Sequence, residues 1–213
     1  IMDFQDFLKF VPKILEVSLP AKEAHFKMVP LSRIESLKNQ DLELYTPKTA
    51  AVLMLFYPKK GKTHLVLIVR NSYNGVHSAQ ISFPGGKYEE EDENYEKTAL
   101  RETQEEIGIN QNDINLIRPF SQLYIQASNF LVHPFLGFCK DEMVFIPDDN
   151  EVAQIIELPL ADFLNDNIIV STTLSTSYAK NIEVPAFNID GHIVWGATAM
   201  MLSELKEVLK KVF

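Results

Sequence analysis

Residues 94 to 108 constrain the fold more than any other stretch, because two patterns run through one predicted helix. Glu102, Glu105 and Glu106 stand at i, i+3 and i+4, so at about 100° per residue they share one face. Leu100, Thr103 and Ile107 point the other way, which predicts a helix packed on a sheet. Gly108 is the expected stop. Three carboxylates so close repel one another and would destabilise an isolated helix. A divalent cation relieves that repulsion. Mg²⁺ and Mn²⁺ take oxygen ligands, commonly a few carboxylates with water and phosphate. Arg101 lies four before Glu105 and can pair with it, fixing a rotamer and holding the carboxylate ionised. Upstream, Pro84-Gly85-Gly86 lets the backbone turn tightly against a ligand, and a carbonyl in that turn can add a metal ligand. In a chain with 29 acidic residues, three glutamates alone also fit a solvated acidic face.

The rest of the chain supplies the sheet. Ala50 to Tyr57 is a continuous apolar run and His64 to Arg70 another, with Pro58-Lys-Lys-Gly61 as the turn between them. Ala79 to Phe83 reads as a short strand. Leu116 to Leu123, Phe130 to Cys139, Met143 to Ile146 and Val152 to Leu158 are further strands. Pro159 to Leu164 is a short helix. Ile182 to Phe187 and Ile193 to Trp195 pair across an Asp190-Gly191 hairpin turn. Residues 3 to 17 form a helix that Pro12 interrupts. Residues 18 to 48 read as a polar wrapping segment, and Gly196 to Val212 as a helix with Met201, Leu205, Val208 and Val212 on one stripe. Strands mixed with a few helices predict one α/β or α+β domain.

Bulk properties narrow the function. The net charge of −9 argues against sequence-independent DNA or RNA binding, which needs a basic face. A small anionic substrate stays compatible, because a bound cation supplies local positive charge. No apolar run reaches the roughly 18 to 20 residues of a membrane helix. Ile1 to Leu8 is mixed and carries two aspartates, so no secretory signal is expected. The single Cys139 can make no internal disulfide, and a cytoplasmic setting is the simplest expectation. It sits in an apolar strand and reads as a buried small hydrophobe. Trp195 is expected in core packing at the start of the last helix, and His133 in a structural role. His25, His64 and His192 have no neighbours that suggest ligation.

The stretch Gly85 to Ile109, GGKYEEEDENYEKTALRETQEEIGI, resembles the Nudix box, G-x5-E-x7-R-E-U-x-E-E-x-G-U with U apolar. Glu93-x7-Arg101-Glu102 matches, as do Glu105-Glu106, Gly108 and Ile109. Six residues rather than five separate Gly86 from Glu93, so Asp92, which keeps the shorter spacing, is the rival for the spaced acid. Thr103 stands at an apolar position. The resemblance implies a Nudix-like α/β/α sandwich with a mixed sheet at 48–213, here with an extra N-terminal helix and a C-terminal helix. It implies hydrolysis of a nucleoside diphosphate linked to another group. It assigns Glu102 and Glu106 as ligands of Mg²⁺ or Mn²⁺, the Gly85 carbonyl as a further ligand, and Glu105 as a third ligand or as the base. Glu151 is the late carboxylate that many Nudix proteins use as ligand or base; otherwise it is an exposed loop acid.

The flanks resemble the coenzyme A pyrophosphatase branch. Arg70, then His77-Ser-Ala-Gln80-Ile-Ser-Phe-Pro-Gly-Gly86, follows that branch's R…H-x-G-Q-I-S-F-P-G-G. Ser128-Asn-Phe130, Asn150-Glu151-Val152 and Trp195-Gly-Ala-Thr-Ala199 follow it too. Ala79 replaces Gly, Asn71 replaces Ser or Ala, and Gly75 stands where one form of the signature has a second Arg that would contact phosphate. The expected catalytic groups are Glu105, Glu151 and Arg101. The expected substrate contacts are Arg70, His77, Gly85 and Gly86, with a surface salt bridge the competing role for Arg70 and a structural hydrogen bond for His77. The expected substrate is coenzyme A or a derivative, cut to adenosine 3′,5′-bisphosphate and 4′-phosphopantetheine. ADP-ribose, NADH or a dinucleotide polyphosphate is the alternative, and a non-catalytic nucleotide-binding module the third reading. Neither nucleic acid nor membrane is an expected partner. Residues 1–47 carry the resemblance weakly; they are a helical wrapping segment open to packing on the domain, shaping a pocket or forming a homodimer contact.

Overall fold

The computed structural model describes residues 3–38, 46–71, 80–174 and 181–213. It opens with α1 (Phe4–Glu16), whose N-cap Asp3 accepts from the backbone of Gln5. Pro12 sits inside α1 without ending it, so the expected interruption is corrected. Proline removes one helical hydrogen bond, but Phe4, Phe7 and Ile14 bury the face that holds the helix together. The stretch read as polar wrapping contains α2 (Lys22–His25), a 3-10 turn (Phe26–Met28) and α3 (Leu31–Lys38).

The sheet elements follow as β1 (Lys48–Lys59), β2 (Lys62–Arg70), β3 (Ile81–Ser82) and β4 (Gly85–Lys87). Then come α4 (Tyr95–Ile107), β5 (Ile114–Pro119), β6 (Leu123–Ile125), β7 (Phe130–Cys139), β8 (Val152–Pro159) and α5 (Leu160–Leu164). The chain ends with β9 (Ile169–Leu174), β10 (Ile182–Ile189), β11 (His192–Val194) and α6 (Gly196–Val212).

Three expectations change. The run from 116 to 123 is two strands, because Phe120 leaves the ladder and donates its N–H to Pro134. Met143 to Ile146 is extended but not a strand. It follows the end of α4, with Ile146 N–H on the Ile107 carbonyl and Asp148 N–H on that of Glu106. Its alternation is real: Met143 and Phe145 pack inward while Val144 and Ile146 are exposed. Strand β9 was not expected, because none of its side chains is buried and it therefore lacks an apolar signature.

β1 is the centre of a mixed sheet, parallel to β7 and antiparallel to β2 and β4. The long apolar run is explained by burial on both faces. Ala51, Leu53, Leu55 and Tyr57 pack with Leu100 and Ile107 of α4 on one side. Met54 and Phe56 pack with Phe4, Phe7, Leu202, Leu205 and Leu209 of α1 and α6 on the other. The architecture is thus helix, sheet, helix. β9, β10 and β11 form a separate antiparallel sheet whose Phe187 and Val194 join the α6 side.

Two partners share one edge of β1. β2 pairs with Phe56–Lys59, β4 with Ala50–Val52, and the sheet splays between them. Leu53 N–H on the Pro84 carbonyl at 2.9 Å bridges the gap. The splay brings Gly85 and Gly86 into the sheet directly beneath α4.

The N-terminal segment is tied to α6 by a buried polar cluster. Glu204 is fully buried and accepts from Ala21 N–H at 2.9 Å, Ser121 Oγ at 2.6 Å and Ser121 N–H at 3.2 Å. His25 Nε2 lies 3.3 Å from Oε2, the oxygen that Ser121 N–H also reaches. Burial opposes ionisation here, but the contacts from His25 and Ser121 hold the carboxyl below its usual range. No helix among the described residues is long and apolar enough to cross a membrane.

Candidate active site

Helix α4 carries the site, and both its ends are specified locally. Asn94 caps the N-terminus by accepting from Lys97 N–H at 3.0 Å. Gly108 closes the C-terminus in the left-handed conformation, φ 74°. Leu100, Thr103 and Ile107 are buried against the sheet as their spacing predicts. Thr103 is accommodated at an apolar position because its hydroxyl donates to the Ala99 carbonyl at 2.7 Å.

The three glutamates share a face but not an environment. Glu106 is 1% exposed, accepting Gly85 N–H at 2.8 Å on one oxygen and Arg70 Nη1 at 3.0 Å on the other. Burial pushes its carboxyl up to about 7; Arg70 and the Gly85 amide oppose this, and the charges of Glu102 and Glu151 add to it. Glu102 lies over Gly86, where a Cβ would meet its carboxylate at 2.4 Å. Burial raises Glu102 as well, against Arg101 and with Glu105 and Glu151. Glu105 is the outermost, more than half exposed, and accepts Arg101 Nη1 at 2.9 Å.

Arg101 is the hub. Its Nε and Nη2 grip the two oxygens of Asp92, each at 2.9 Å. Nη1 reaches Glu102 at 3.1 Å as well as Glu105, and Nη2 the Lys87 carbonyl at 3.2 Å. This bidentate grip decides between the two candidate acids. Asp92 is buried and held down to about 2, first by Arg101, against burial and with help from Glu89 N–H. Glu93 is exposed and does not take the position. The five-residue spacing from Gly86 was the signal for Asp92.

Glu151 opens the turn into β8, exposed, with its charge felt at Glu102 and Glu106. Its backbone carbonyl accepts Asn71 N–H. His77 lies outside the described residues, as do Gly75 and Ala79. His133 stacks on Tyr95 with ring centres 3.7 Å apart, on the α4 side of the sheet. Cys139 is buried, its thiol pushed up to about 12 by that burial, and is a packing residue.

A cavity of about 860 Å³ opens beside Gly85, Gly86 and Arg70. Its walls include residues that local patterns did not single out, Met28 and Val29 before α3 and Met200 and Met201 on α6. Trp195, expected in the core, instead lines this cavity and is only partly buried, because it caps the N-terminus of α6 at the cavity wall.

The residues fit a divalent cation by their donor chemistry. Two desolvated carboxylates, both raised by burial and by the charge of Glu151, sit against a glycine pair that leaves room for nothing larger than hydrogen. Among the described residues no three His, Cys, Asp or Glu side chains converge into a ready cage. The carboxylates are held instead by Arg70 and Arg101. That suits an ion that takes a few protein oxygens and fills its shell with water and substrate phosphate.

The NUDIX domain family profile matches residues 47–173. The chain is 34% identical over 131 residues to Nudix hydrolase 15, mitochondrial, of Arabidopsis thaliana, covering 60% of this chain and 46% of that protein, so it spans about half the length of this relative. It is 28% identical over 174 residues to the peroxisomal coenzyme A diphosphatase ndx-8 of Caenorhabditis elegans, covering 80% and 73%. Among solved structures, the Nudix hydrolase RenU of M. smegmatis superposes with a TM-score of 0.55 at 14% identity, over 78% of this chain and 88% of that one.

Proposed function

The chain belongs to the Nudix family, and from that premise we propose that it hydrolyses the diphosphate linkage of coenzyme A or one of its derivatives. The products are adenosine 3′,5′-bisphosphate and 4′-phosphopantetheine or its acylated form. The observation that carries this reading is the pair of desolvated carboxylates, Glu102 over Gly86 and Glu106 on the Gly85 amide, at the edge of a cavity that Arg70 also lines. The coenzyme A assignment is supported by the flanking motif from Arg70 to Gly86 and by the similarity to the nematode diphosphatase.

Glu102 and Glu106, with the Gly85 carbonyl, would hold Mg²⁺ or Mn²⁺. When bound, the cation neutralises the diphosphate and makes water a better nucleophile. Arg70 orients Glu106 and faces the cavity, where it would contact phosphate; the flanking motif makes His77 a second candidate for that contact. Arg101 positions rather than reacts: with all three of its nitrogens engaged, it fixes Glu102 and Glu105 relative to Asp92. Glu105 is occupied by that guanidinium. Glu151 has no guanidinium partner among the described residues and stands close enough to act on the charge of Glu102 and Glu106, so we assign it as the base. It takes a proton from water as the new P–O bond forms on one phosphorus. The bridging P–O bond breaks, and the other phosphate leaves with the electron pair. We place the protein in the cytoplasm, with its single thiol buried.

The test is product analysis after incubating the purified protein with coenzyme A and Mg²⁺ or Mn²⁺. Adenosine 3′,5′-bisphosphate and phosphopantetheine are the expected products. Glu106→Gln should lower the rate by several kcal/mol of barrier, about 100- to 1000-fold. Cleavage of ADP-ribose or a dinucleotide polyphosphate instead of coenzyme A would retain the chemistry and discard the substrate. Cleavage of none of them would leave a nucleotide-binding module.

A further inference from the structure

The cavity beside Gly85 and Gly86 carries a charge pattern opposite to that of the whole chain. Among the described residues its walls hold three charged side chains, Arg33, Arg70 and Lys87, and neither Asp nor Glu. The chain has 29 acidic against 20 basic residues and a net charge of −9. Arg70 is engaged with Glu106 at 3.0 Å. The walls also include Ser82 and Ser128, whose hydroxyls are buried without a hydrogen-bond partner. Such groups call for a partner, so the space suits a ligand that brings polar groups of its own.

Strand register fixes where the other two cations stand. Lys87 of β4 is opposite Ala50 of β1, Ala50 is opposite Val132 of β7, and Val132 is opposite Leu123 of β6. Residues opposite one another project from the same face of a sheet. Ala50, Val132 and Leu123 all line the cavity, so Lys87 extends over that face and not toward α4. Only its backbone carbonyl serves the carboxylate site, by accepting from Arg101. Lys87 is exposed and has no carboxylate partner among the described residues. Arg33, on α3, approaches from the other end of this row. Its Nη2 donates to Gln126 Oε1 at 3.3 Å, one residue past the end of β6. Three strand spacings of about 4.8 Å separate β4 from β6, roughly 14 Å. Two long cationic side chains can reach into that span from opposite walls, with Ala50 and Val132 as the floor between them.

A cation held by Glu102 and Glu106 would answer the charge of the diphosphate. A further phosphate on the same ligand lies beyond that ion, and in an acidic chain it needs protein cations facing it. Position 75, where one form of the flanking signature has an arginine, is glycine here. We propose that Arg33 and Lys87 form an anion subsite between β4 and β6, which takes a phosphate monoester on the ribose of the substrate. The two residues thereby distinguish a 3′-phosphorylated nucleotide from one without that phosphate. This rests on the diphosphatase reading for the position of the diphosphate. Arg33 lies outside the 47–173 span that matches the family, so part of the selectivity is set by the N-terminal segment.

The experiment uses the full chain and two pairs of ligands. Coenzyme A is compared with dephospho-coenzyme A in steady-state kinetics with Mg²⁺. Adenosine 3′,5′-bisphosphate is compared with adenosine 5′-monophosphate by calorimetric binding in EDTA. In each pair the ligand with the additional phosphate should be favoured at least about tenfold, in KM and in Kd, the scale of a hydrogen bond to a charged group. The advantage should shrink as salt rises from about 0.05 M to about 0.5 M. Arg33→Gln and Lys87→Gln should each reduce it, and the double variant should erase it. Lys87→Arg, which keeps the charge, should retain most of it, so a general loss of structure is told apart from a loss of charge. Equal binding of the bisphosphate and the monophosphate overturns the inference, whether or not coenzyme A is cleaved. A preference that survives in the double glutamine variant overturns the assignment to these two residues. A bisphosphate preference that the double variant loses, in a protein that does not cleave coenzyme A, would sink the diphosphatase reading and leave the subsite standing.

Discussion

At the scale of single residues, close approach decides the site. Gly86 is a glycine because the Glu102 carboxylate occupies the volume of its missing Cβ, at 2.4 Å. Gly86→Ala must push Glu102 aside. Misplacement of a reacting group by about 1 Å costs on the order of 100-fold in rate, and that is the loss expected in kcat. Kinetics beside a circular dichroism spectrum check it; a rate near wild type would show that Glu102 acts elsewhere. Asp92 makes a pH prediction. Its folded pKa of about 2 lies below the ordinary value of 3.8, so its ionisation stabilises the fold above about pH 4, and that contribution is lost as pH falls through 2. Asp92→Asn should therefore lose about 2 kcal/mol at pH 7. Denaturant melts should show the gap to wild type narrowing between pH 4 and 2. A gap that stays constant with pH would mean that Asp92 acts through shape and not charge.

At the scale of elements, α4 is held from outside by its C-terminus. The carbonyls of Glu106 and Ile107, left over at the helix end, are taken by the N–H groups of Asp148 and Ile146. Gly108 turns the chain there, with Ile146 2.8 Å from where a Cβ would stand. Gly108→Ala combines left-handed strain with that clash and should destabilise by about 1–3 kcal/mol. Because the Glu106 carbonyl is held by Asp148 two residues beyond Ile146, a shift of Ile146 should also disturb Glu106 and weaken activation by Mg²⁺. A thermal melt and a metal titration would read both, and an unchanged melting temperature would remove the cap from the argument. The capture of α4 by 146–148 also accounts for the end of the strand-like pattern at 143–146: the Ile146 amide is spent on a helix end and not on a ladder.

At the scale of the molecule, α1 and α6 enclose the face of the sheet opposite α4. Phe7 is completely buried and its ring lies 4.9 Å from that of Phe56 on the central strand. Phe7→Ala should cost about 3–5 kcal/mol, the range for a buried phenylalanine truncated in a packed core. The N-terminal helix is thereby tested as part of the folding unit. A loss below 1 kcal/mol, measured by equilibrium unfolding, would mean that α1 docks weakly on a domain already folded without it.

The sequence alone determined what depends on neighbours along the chain. The period of Leu100, Thr103 and Ile107 specified the helix and its buried face, the i, i+3, i+4 glutamates the acidic face, and the unbroken apolar run of Ala50 to Tyr57 a strand. Helical and strand periodicities are local, so a single chain displays them. Tertiary structure decided what depends on groups that meet only after folding. It chose Asp92 over Glu93 by the reach of Arg101, paired Arg70 with Glu106, and moved Trp195 from core to cavity wall. It also joined His25 to Glu204, 179 positions apart, which no pattern in either segment announces. The physical reason is the same for each. Partners of a buried charge are set by packing and distance in three dimensions, and a one-dimensional pattern carries the demand for a partner without its identity.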